Sequence, residues 1–171
     1  MVLQYFFVLN QISFQYFRYL SPIDKSLTKL RMFALKLSGS NIGSRSCIRP
    51  FAFISNMSTL QIGENTIIGP WAKIYSFEKV TFGDNLEIGP GLHIHTNEHI
   101  IKNFDQPLGK QGSIWKPVSI SDGCYLGANV TILSGVKIGS QILIAAGSVV
   151  TQDLEVPGLY AGNPAVLKKK W

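Results

Sequence analysis

The chain has little of what marks secreted, zinc-binding or nucleic-acid-binding proteins. It contains only 2 cysteines, Cys47 and Cys124, among 171 residues, which fits a reducing compartment and forms no zinc-binding pattern. Charged residues make up only 15% of the chain, which suits a fold with apolar inner faces. The net charge of +6 permits polyanion binding, but there is no basic helix with interleaved aromatic residues. We therefore expect no nucleic-acid partner.

A long uninterrupted apolar run is also missing, although residues 1–20 are rich in aromatic and aliphatic side chains. Arg18 is the only charge in this segment, and no basic leader or small-residue cleavage site marks a signal peptide. Glutamines and asparagines interrupt it, which makes it a poor transmembrane span. Two interpretations stay open: a helix that packs on the rest of the protein, or a helix in the plane of a membrane surface.

Residues 21–39 predict a further helix. Ser21-Pro22 is typical of a helix start, because serine caps the first turn and proline fits its first position. Gly39 is typical of a helix end. Between them lies one apolar stripe: Leu27, Leu30, Phe33 and Leu37. We therefore predict that residues 1–39 form an N-terminal helical segment that caps a second unit, residues 40–171.

Within residues 40–171, a large apolar residue returns at every sixth position. The series are Ile42, Ile48 and Ile54; Ile62, Ile68 and Ile74; Phe82, Ile88 and Ile94; and Ile120, Leu126, Ile132, Ile138, Ile144 and Val150. Two extra residues recur after every third hexapeptide, between Ile54 and Ile62 and between Ile74 and Phe82. A period of six indicates a solenoid, and the recurring insert indicates three faces per coil. The predicted cross-section is a triangular prism of about five coils, with one large residue per face pointing inward.

The later repeats resemble a known family. The carrying stretches are KPVSISDGCYLGANVTILSGVKIG (Lys116 to Gly139) and IAAGSVVTQDLEVPGLYAGNPA (Ile144 to Ala165). They are similar to the hexapeptide-repeat acyltransferases, and most similar to the branch of maltose, galactoside and polysaccharide O-acetyltransferases. The resemblance implies an all-β, left-handed parallel β-helix with an N-terminal α-helical cap. It also implies a homotrimer with active sites between subunits.

The phase of six breaks after Ile94 and resumes at Ile120, so a loop at about residues 95–117 leaves the prism. Long loops on rigid scaffolds commonly carry function. In the family, an Ile-Gly-Pro sequence precedes a catalytic histidine by eleven residues, and counting from Ile88 places that histidine at His99. A neutral imidazole can take the proton of an acceptor hydroxyl. Asn97 and Glu98 are candidates for orienting His99.

Two further histidines, His93 and His95, flank the inward Ile94 and should face outward. A solvated face is the first interpretation of this pair, and a metal site is the second. Some hexapeptide-repeat prisms hold zinc through histidines of separate coils, whereas these histidines lie in one short stretch. We therefore predict no metal.

The acyl donor implied by the resemblance is acetyl-CoA, with no metal. Backbone groups of Ala128 and Ala146 match positions that contact the pantetheine arm, and an amide between Leu126 and Ala128 would stabilise the oxyanion. Thr151 matches a residue near the nucleotide, and Lys168 and Lys169 lie where the phosphates are expected. The full set of coenzyme residues is Tyr125, Gly127, Ala128, Ala145, Ala146, Thr151, Lys168 and Lys169. Asn163-Pro164 resembles a helix start, so we predict a short C-terminal helix carrying these lysines.

The acceptor side departs from the galactoside branch, since Gly69 and Phe77 stand where that branch has a sugar-contacting asparagine and an acidic neighbour. We predict a different sugar acceptor, with Glu78 and Trp115 as candidate contacts. The predicted activity is an acetyl-CoA-dependent sugar O-acetyltransferase of surface polysaccharide or lipopolysaccharide assembly. The protein would be cytoplasmic, with peripheral membrane contact through residues 1–37 as one alternative. N-acetylation of an amino sugar nucleotide and a non-catalytic scaffold are the other functional alternatives.

Overall fold

A computed structural model describes residues 21–171, and the side chains from residue 28 onward. It begins with one α-helix, α1 (Ser21–Leu37), followed by a short turn at Gly39 with a left-handed φ of 93°. The predicted helix within residues 1–20 lies outside the described residues. None of the helical segments between residues 21 and 171 combines the length and hydropathy that a membrane crossing requires.

The remaining chain is the predicted parallel β-helix, so the expected all-β fold class is confirmed. Face A contains β1 (Asn41–Ile42), β4 (Leu60–Ile62), β7 (Val80–Phe82), β12 (Val118–Ile120) and β15 (Lys137–Ile138). Face B contains β2 (Cys47–Ile48), β5 (Ile67–Ile68), β8 (Glu87–Ile88), β13 (Tyr125–Leu126), β16 (Ile142–Ile144), β18 (Gly158–Ala161) and β19 (Val166–Lys170). Face C contains β3 (Phe53–Ile54), β6 (Lys73–Tyr75), β9 (His93–His95), β14 (Thr131–Ile132) and β17 (Val149–Val150).

The six-residue period becomes the core because each period residue stacks on its equivalent in the next coil. On face A, for example, Ile42 pairs in register with Ile62, and Ile62 with Phe82. Nearly all of these side chains are buried, and together they form one continuous apolar cluster. The remaining inward positions hold buried residues that range from alanine and serine to Leu86 and Leu92, and the Cys124 thiol at one of them donates to the Gly139 carbonyl at 3.0 Å. Burial raises the pKa of this thiol.

Helix α1 covers the open N-terminal end of the prism, as the sequence predicts. Met32 is buried against the first coil. The Met32 sulfur accepts the Ile48 N–H at 3.3 Å, and the Arg31 guanidinium donates to the Ile48 carbonyl at 3.1 Å. These contacts satisfy backbone groups of β2, which would otherwise be an unpaired sheet edge.

The other end of the prism is closed differently from the prediction. The predicted short C-terminal helix is wrong, because β19 (Val166–Lys170) is a strand that pairs antiparallel with β18. The Asn163-Pro164 pair favours a helix locally. A strand forms instead because β18 would otherwise expose a row of unpaired backbone groups. The solenoid also continues beyond five coils: β18 adds a sixth layer to face B, and Leu154 bridges to Ile138 on face A.

The corners between faces repeat from coil to coil. In each coil four residues separate the face B strand from the face C strand, and we call the column formed by the first three of them the B/C corner: residues 49–51, 69–71, 89–91, 127–129 and 145–147. The third residue of each turn has a left-handed backbone, with φ of 64° at Phe51, 58° at Trp71, 73° at Gly91, 57° at Asn129 and 72° at Gly147. Axial hydrogen bonds link these turns, for example from the Gly91 N–H to the Pro70 carbonyl at 2.9 Å.

Candidate active site

The most prominent departure from the prism is a two-stranded arm at the corner between faces C and A. The chain leaves after β9, forms β10 (Asn97–His99), returns as β11 (Ser113–Trp115) and rejoins face A at β12. No side chain from residue 97 to residue 117 is buried, so the arm projects away from its own prism. The arm carries His99, the predicted base.

The register of the arm divides its residues between two faces. Asn97 lies opposite Trp115, and His99 lies opposite Ser113, whereas Glu98 lies opposite Ile114. Because successive residues of a strand alternate and opposite residues share a face, Asn97, His99, Ser113 and Trp115 share one face. Three of the sequence-predicted site residues are therefore brought together.

Glu98 is not part of that group. Its carboxylate forms an ion pair with the Lys116 ammonium at 2.5 Å, with both side chains about half exposed. The structure thus places Glu98 beside a lysine on the opposite face of the arm from His99. Its predicted role in orienting the imidazole has no contact to support it here.

The side chain that does contact His99 is Ser113, which sequence reasoning missed. The Ser113 hydroxyl oxygen lies 3.4 Å from Nδ1 of His99, and either atom can be the donor depending on the imidazole tautomer. The two residues are 14 positions apart in the chain. No local motif links them, and only the hairpin register brings them together.

The root of the arm is held by Thr96, which is fully buried. Its hydroxyl accepts the Glu78 N–H at 3.0 Å and donates to the Tyr75 carbonyl at 3.0 Å. Its carbonyl accepts the Lys116 N–H at 2.8 Å, which ties both ends of the arm together. Glu78, a predicted acceptor contact, therefore lies beside the root of the arm and is exposed.

The two remaining histidines lie on face C, partly exposed and on either side of the buried Ile94, as predicted. His95 stacks on Tyr75, with ring centroids 4.9 Å apart and planes 13° apart. Partial burial lowers the pKa of His93, and the nearby charges of Lys73 and His95 lower it further. Within residues 21–171, no three His, Cys, Asp or Glu side chains are grouped so that they could hold a metal ion.

The predicted pantetheine contacts lie on the B/C corner, where one backbone detail changes along the prism. The middle residue of the turn is Pro50, Pro70 and Pro90 in the first three coils but Ala128 and Ala146 in the next two. Proline has no N–H, whereas Ala128 and Ala146 each have one, and within residues 21–171 neither donates to another group.

The neighbouring N–H of Gly127, by contrast, donates to the Ile144 carbonyl at 2.8 Å. The fourth and fifth coils thus present backbone donors that the first three coils lack.

Comparison with known proteins agrees with this geometry. A family profile described as the hexapeptide repeat of succinyl-transferase matches residues 117–152. A hexapeptide-repeat-containing acetyltransferase from Vibrio cholerae superposes with a TM-score of 0.77 and 28% identity, over 84% of this chain and 80% of that one. That protein has also been solved in complex with acetyl coenzyme A. A maltose O-acetyltransferase from Clostridium difficile 630 gives a TM-score of 0.73 and 26% identity, over 95% of this chain and 88% of that one.

The chain resembles the hexapeptide-repeat acetyltransferases in its repeat and in its fold.

Among curated relatives, a 2,3,4,5-tetrahydropyridine-2,6-dicarboxylate N-acetyltransferase from Staphylococcus aureus is 44% identical over 54 residues. This match spans 32% of the hexapeptide-repeat chain described here and only 23% of the relative's length.

The remaining coenzyme positions of this hexapeptide-repeat protein lie on several elements. Tyr125 is exposed on β13, Ala145 and the exposed Ala146 form the fifth B/C turn, and Thr151 is exposed just after β17. Lys168 and Lys169 are exposed on β19. The structure therefore spreads these positions over the last three coils, and gathers only Gly127, Ala128, Ala145 and Ala146 on one corner.

One chain does not bring its predicted base to its predicted coenzyme corner. His99 belongs to an arm on one edge of face C, and Ala128 lies at the other edge. The six-residue step from Ala128 to Ser134, which contains β14, runs along the whole width of face C. This width is roughly 20 Å at 3.3 Å per residue. The arm does not cover this distance by packing on face C, because none of its side chains is buried.

Proposed function

We propose that this protein is an acetyl-CoA-dependent acetyltransferase that acts on a sugar hydroxyl with His99 as the general base. The single observation that carries the proposal is the exposed face of the arm, where His99 lies against Ser113 and beside Asn97 and Trp115. The resemblance to hexapeptide-repeat acetyltransferases and the similar protein solved with acetyl coenzyme A support the choice of acyl donor. The setting we propose is the assembly of surface polysaccharide or lipopolysaccharide.

In the proposed reaction, Nε2 of a neutral His99 takes the proton of the acceptor hydroxyl while the hydroxyl oxygen attacks the thioester carbonyl. The carbonyl oxygen becomes negative in the tetrahedral intermediate, and a backbone N–H stabilises it. The Gly127 N–H already donates to a carbonyl inside the prism. The Ala128 N–H is therefore the candidate donor to the oxyanion. Collapse of the intermediate breaks the C–S bond, and the imidazolium returns its proton to the coenzyme thiolate. No acyl-enzyme forms.

The Ser113 hydroxyl gives the imidazole a preferred orientation. A hydrogen bond at Nδ1, at the observed separation of 3.4 Å, leaves Nε2 on the outer side of the ring for the substrate. Ser113 is thus a positioning residue in this proposal. Asn97 and Trp115 are close enough along the same face to contact the acceptor.

We also propose that the active enzyme is a homotrimer in which the base and the coenzyme corner belong to different subunits. The width of face C, which separates the base from the coenzyme corner within one chain, supports this arrangement. The arm supports it further, since Phe104 is 86% exposed and Ile101 is 59% exposed in the isolated chain. Apolar side chains of this size on a projecting arm are typical of a subunit contact.

The test is the release of free coenzyme thiol from acetyl-CoA with a panel of sugars. We expect one sugar class to support release by the native protein, and His99→Ala to abolish it. Lys110→Ala, an exposed change at the tip of the same arm, is the matched control and should leave the rate unchanged. Undiminished release by the His99→Ala protein would contradict the role of His99 as base.

An amine acceptor is the second candidate function, because the curated relative from Staphylococcus aureus is an N-acetyltransferase. The panel should therefore include amino sugar nucleotides beside neutral sugars. An amine nucleophile must first lose its ammonium proton, so release with these acceptors should rise with pH well beyond the imidazole range. Absence of acetyl-CoA binding by calorimetry would instead favour a scaffold without catalysis.

We propose peripheral membrane contact through residues 1–37, and α1 supplies the argument from described residues. Leu30, Phe33 and Leu37 lie on its outer face and are more than half exposed, while Met32 is buried on its inner face. The exposed Lys29 and Lys36 flank the outer stripe. This combination favours an anionic lipid surface. Sedimentation with anionic vesicles should weaken for Phe33→Ser, and unchanged sedimentation would contradict the role of this stripe.

A further inference from the structure

The end of the arm, residues 101–111, is built without a core and without a strand ladder, and we call it the arm tip. It begins after the hydrogen bond from the Ile100 N–H to the Gly112 carbonyl at 3.1 Å. Every residue from 101 to 110 is exposed. Within the described part of the chain, residues 101–106 form no backbone–backbone hydrogen bond. Neither burial nor regular secondary structure therefore holds this segment.

One side chain, that of Gln111, supplies the missing hydrogen bonds. Its Oε1 atom accepts the Lys102 N–H at 2.7 Å and the Asn103 N–H at 3.3 Å. Its Nε2 atom donates to the Asn103 carbonyl at 2.8 Å and to the Gln106 carbonyl at 3.0 Å. Both hydrogens and both lone pairs of the amide are thus used. The partly buried Gln111 side chain stands in for a backbone ladder at the centre of the arm tip.

The arm tip presents apolar side chains to solvent rather than to its own prism. Phe104 is 86% exposed, Ile101 is 59% exposed and Leu108 is 41% exposed. Burial within one chain does not explain why this loop has a defined shape. Pre-organisation for a partner does explain it, because a loop that is already shaped loses little conformational freedom on binding.

The partner that this surface fits is a second copy of the same chain. The proposed base and the coenzyme corner lie at opposite edges of face C, so the site is incomplete within one chain. The arm carries that base away from its own prism. A surface at the end of the same arm is therefore positioned to meet the subunit whose corner the base must reach.

The arm tip also determines where His99 lies. His99 directly precedes Ile100, whose N–H closes the arm against the Gly112 carbonyl. At the other end of β10, the buried Thr96 joins the arm to the prism. His99 is thus held on a short span between a root fixed by its own prism and a tip that a neighbouring subunit would fix.

We infer that Gln111 is a positioning residue for His99: its amide holds the arm tip in the shape that docks on a neighbouring subunit. The docked tip then places the imidazole at the coenzyme corner of that subunit. This inference rests on the proposed acetyl transfer with His99 as the base. Loss of the amide should weaken assembly directly and should lower activity as a consequence.

The decisive variant is Gln111→Ala, and Gln106→Ala is the matched control. Gln106 is the same residue type in the same tip, and its side chain has no hydrogen-bond partner within the described residues. Its carbonyl, which Gln111 uses, survives the substitution. Sedimentation equilibrium should give a dissociation constant of the oligomer that is about tenfold higher or more for Gln111→Ala and unchanged for Gln106→Ala. Far-UV circular dichroism should stay native for both variants, because the arm tip lies outside the core.

Two readouts separate this role from a merely structural one. Gln111→Glu keeps the size of the side chain but turns a carboxylate oxygen toward the Asn103 and Gln106 carbonyls, so its oligomer should dissociate at least as readily as that of Gln111→Ala. Thiol release per subunit by Gln111→Ala should recover as the protein concentration is raised, because mass action restores the oligomer. His99→Ala should stay inactive at every concentration.

Failure of the inference is distinguishable from failure of the proposed function. If the native protein releases no thiol with any acceptor, the proposed function fails, and weaker assembly of Gln111→Ala still supports the docking role of Gln111. Three results overturn the inference: a native protein that is monomeric, native assembly by Gln111→Ala, or a loss of activity in Gln111→Ala that high protein concentration does not restore.

Discussion

Replacing Ala128 by proline should impair coenzyme binding without impairing folding. The first three coils already carry Pro50, Pro70 and Pro90 at this position of the B/C corner. Two of these prolines follow Gly69 and Gly89, just as Ala128 follows Gly127. The backbone at residue 128 should therefore accept proline without strain. The change removes the Ala128 N–H, which has no partner within the described chain.

We expect the proline to stabilise the folded state and to weaken acetyl-CoA binding and catalysis. A compatible proline stabilises a protein by about 0.4–1 kcal/mol by restricting the unfolded chain, which corresponds to roughly 1–4 °C in melting temperature for a domain of this size. Loss of a hydrogen bond to pantetheine should weaken acetyl-CoA binding by about 0.5–1.5 kcal/mol, or roughly two- to tenfold. If the same N–H stabilises the oxyanion, kcat should fall by about 100-fold or more.

The assays are thermal unfolding, calorimetry with acetyl-CoA, and thiol release at saturating substrates. Ala128→Ser is the matched control, because it changes the side chain but keeps the N–H. We expect Ala128→Pro to melt at or above the native temperature and to lose activity, while Ala128→Ser keeps both. A stable Ala128→Pro protein with native acetyl-CoA affinity and native kcat would refute the assignment of this corner to the coenzyme.

Three further predictions concern the arm and face C. Ser113→Ala should lower kcat several-fold and shift the acid limb of the pH–rate profile, and Ser113→Thr, which keeps the hydroxyl, should restore both; an unchanged profile would show that Ser113 does not position His99. Thr96→Val removes the acceptor of the Glu78 N–H and one of the two donors to the Tyr75 carbonyl, so unfolding should become about 1–3 kcal/mol easier by denaturant titration, whereas Thr96→Ser should be close to native. Because the pKa of His93 is lowered below 6.5 in the folded state, the unfolded state binds more protons and stability should decrease as pH falls below 6.5. His93→Gln should flatten that dependence, and an equally steep curve in the variant would place its origin elsewhere.

The sequence predicts the solenoid well because one physical requirement repeats in every coil. A narrow prism has room for one large inward residue per face, so the six-residue period from Ile42 to Val150 reports the fold directly. The departure of the chain after Ile94 follows from the same count. Local signals are weaker evidence, as Asn163-Pro164 illustrates. These two residues favour a helix, but the residues after them form a strand that pairs with the otherwise free edge of β18.

The candidate site was only partly accessible to sequence reasoning. His99 could be proposed as the base from motif and phase, but its neighbours depend on a hairpin register that a repeat count does not contain. That register brings Ser113 to His99 and turns Glu98 toward Lys116. The change from proline to alanine along the B/C corner is visible in the sequence. Its meaning required the hydrogen-bond ladder, which shows that this N–H has no partner inside the prism.

The position of the arm along the prism relates these parts to one another. The B/C corner has two halves: the first carries prolines without N–H groups, and the second carries the free N–H groups of Ala128 and Ala146. The arm leaves the prism between the third and fourth coils, and thus at the level where Gly91 is followed by Asn129. In a cyclic trimer with its axis parallel to the prisms, rotation preserves this level. The His99 of one subunit would then meet the neighbour's corner at the junction of these two halves, where the proposed coenzyme groove begins.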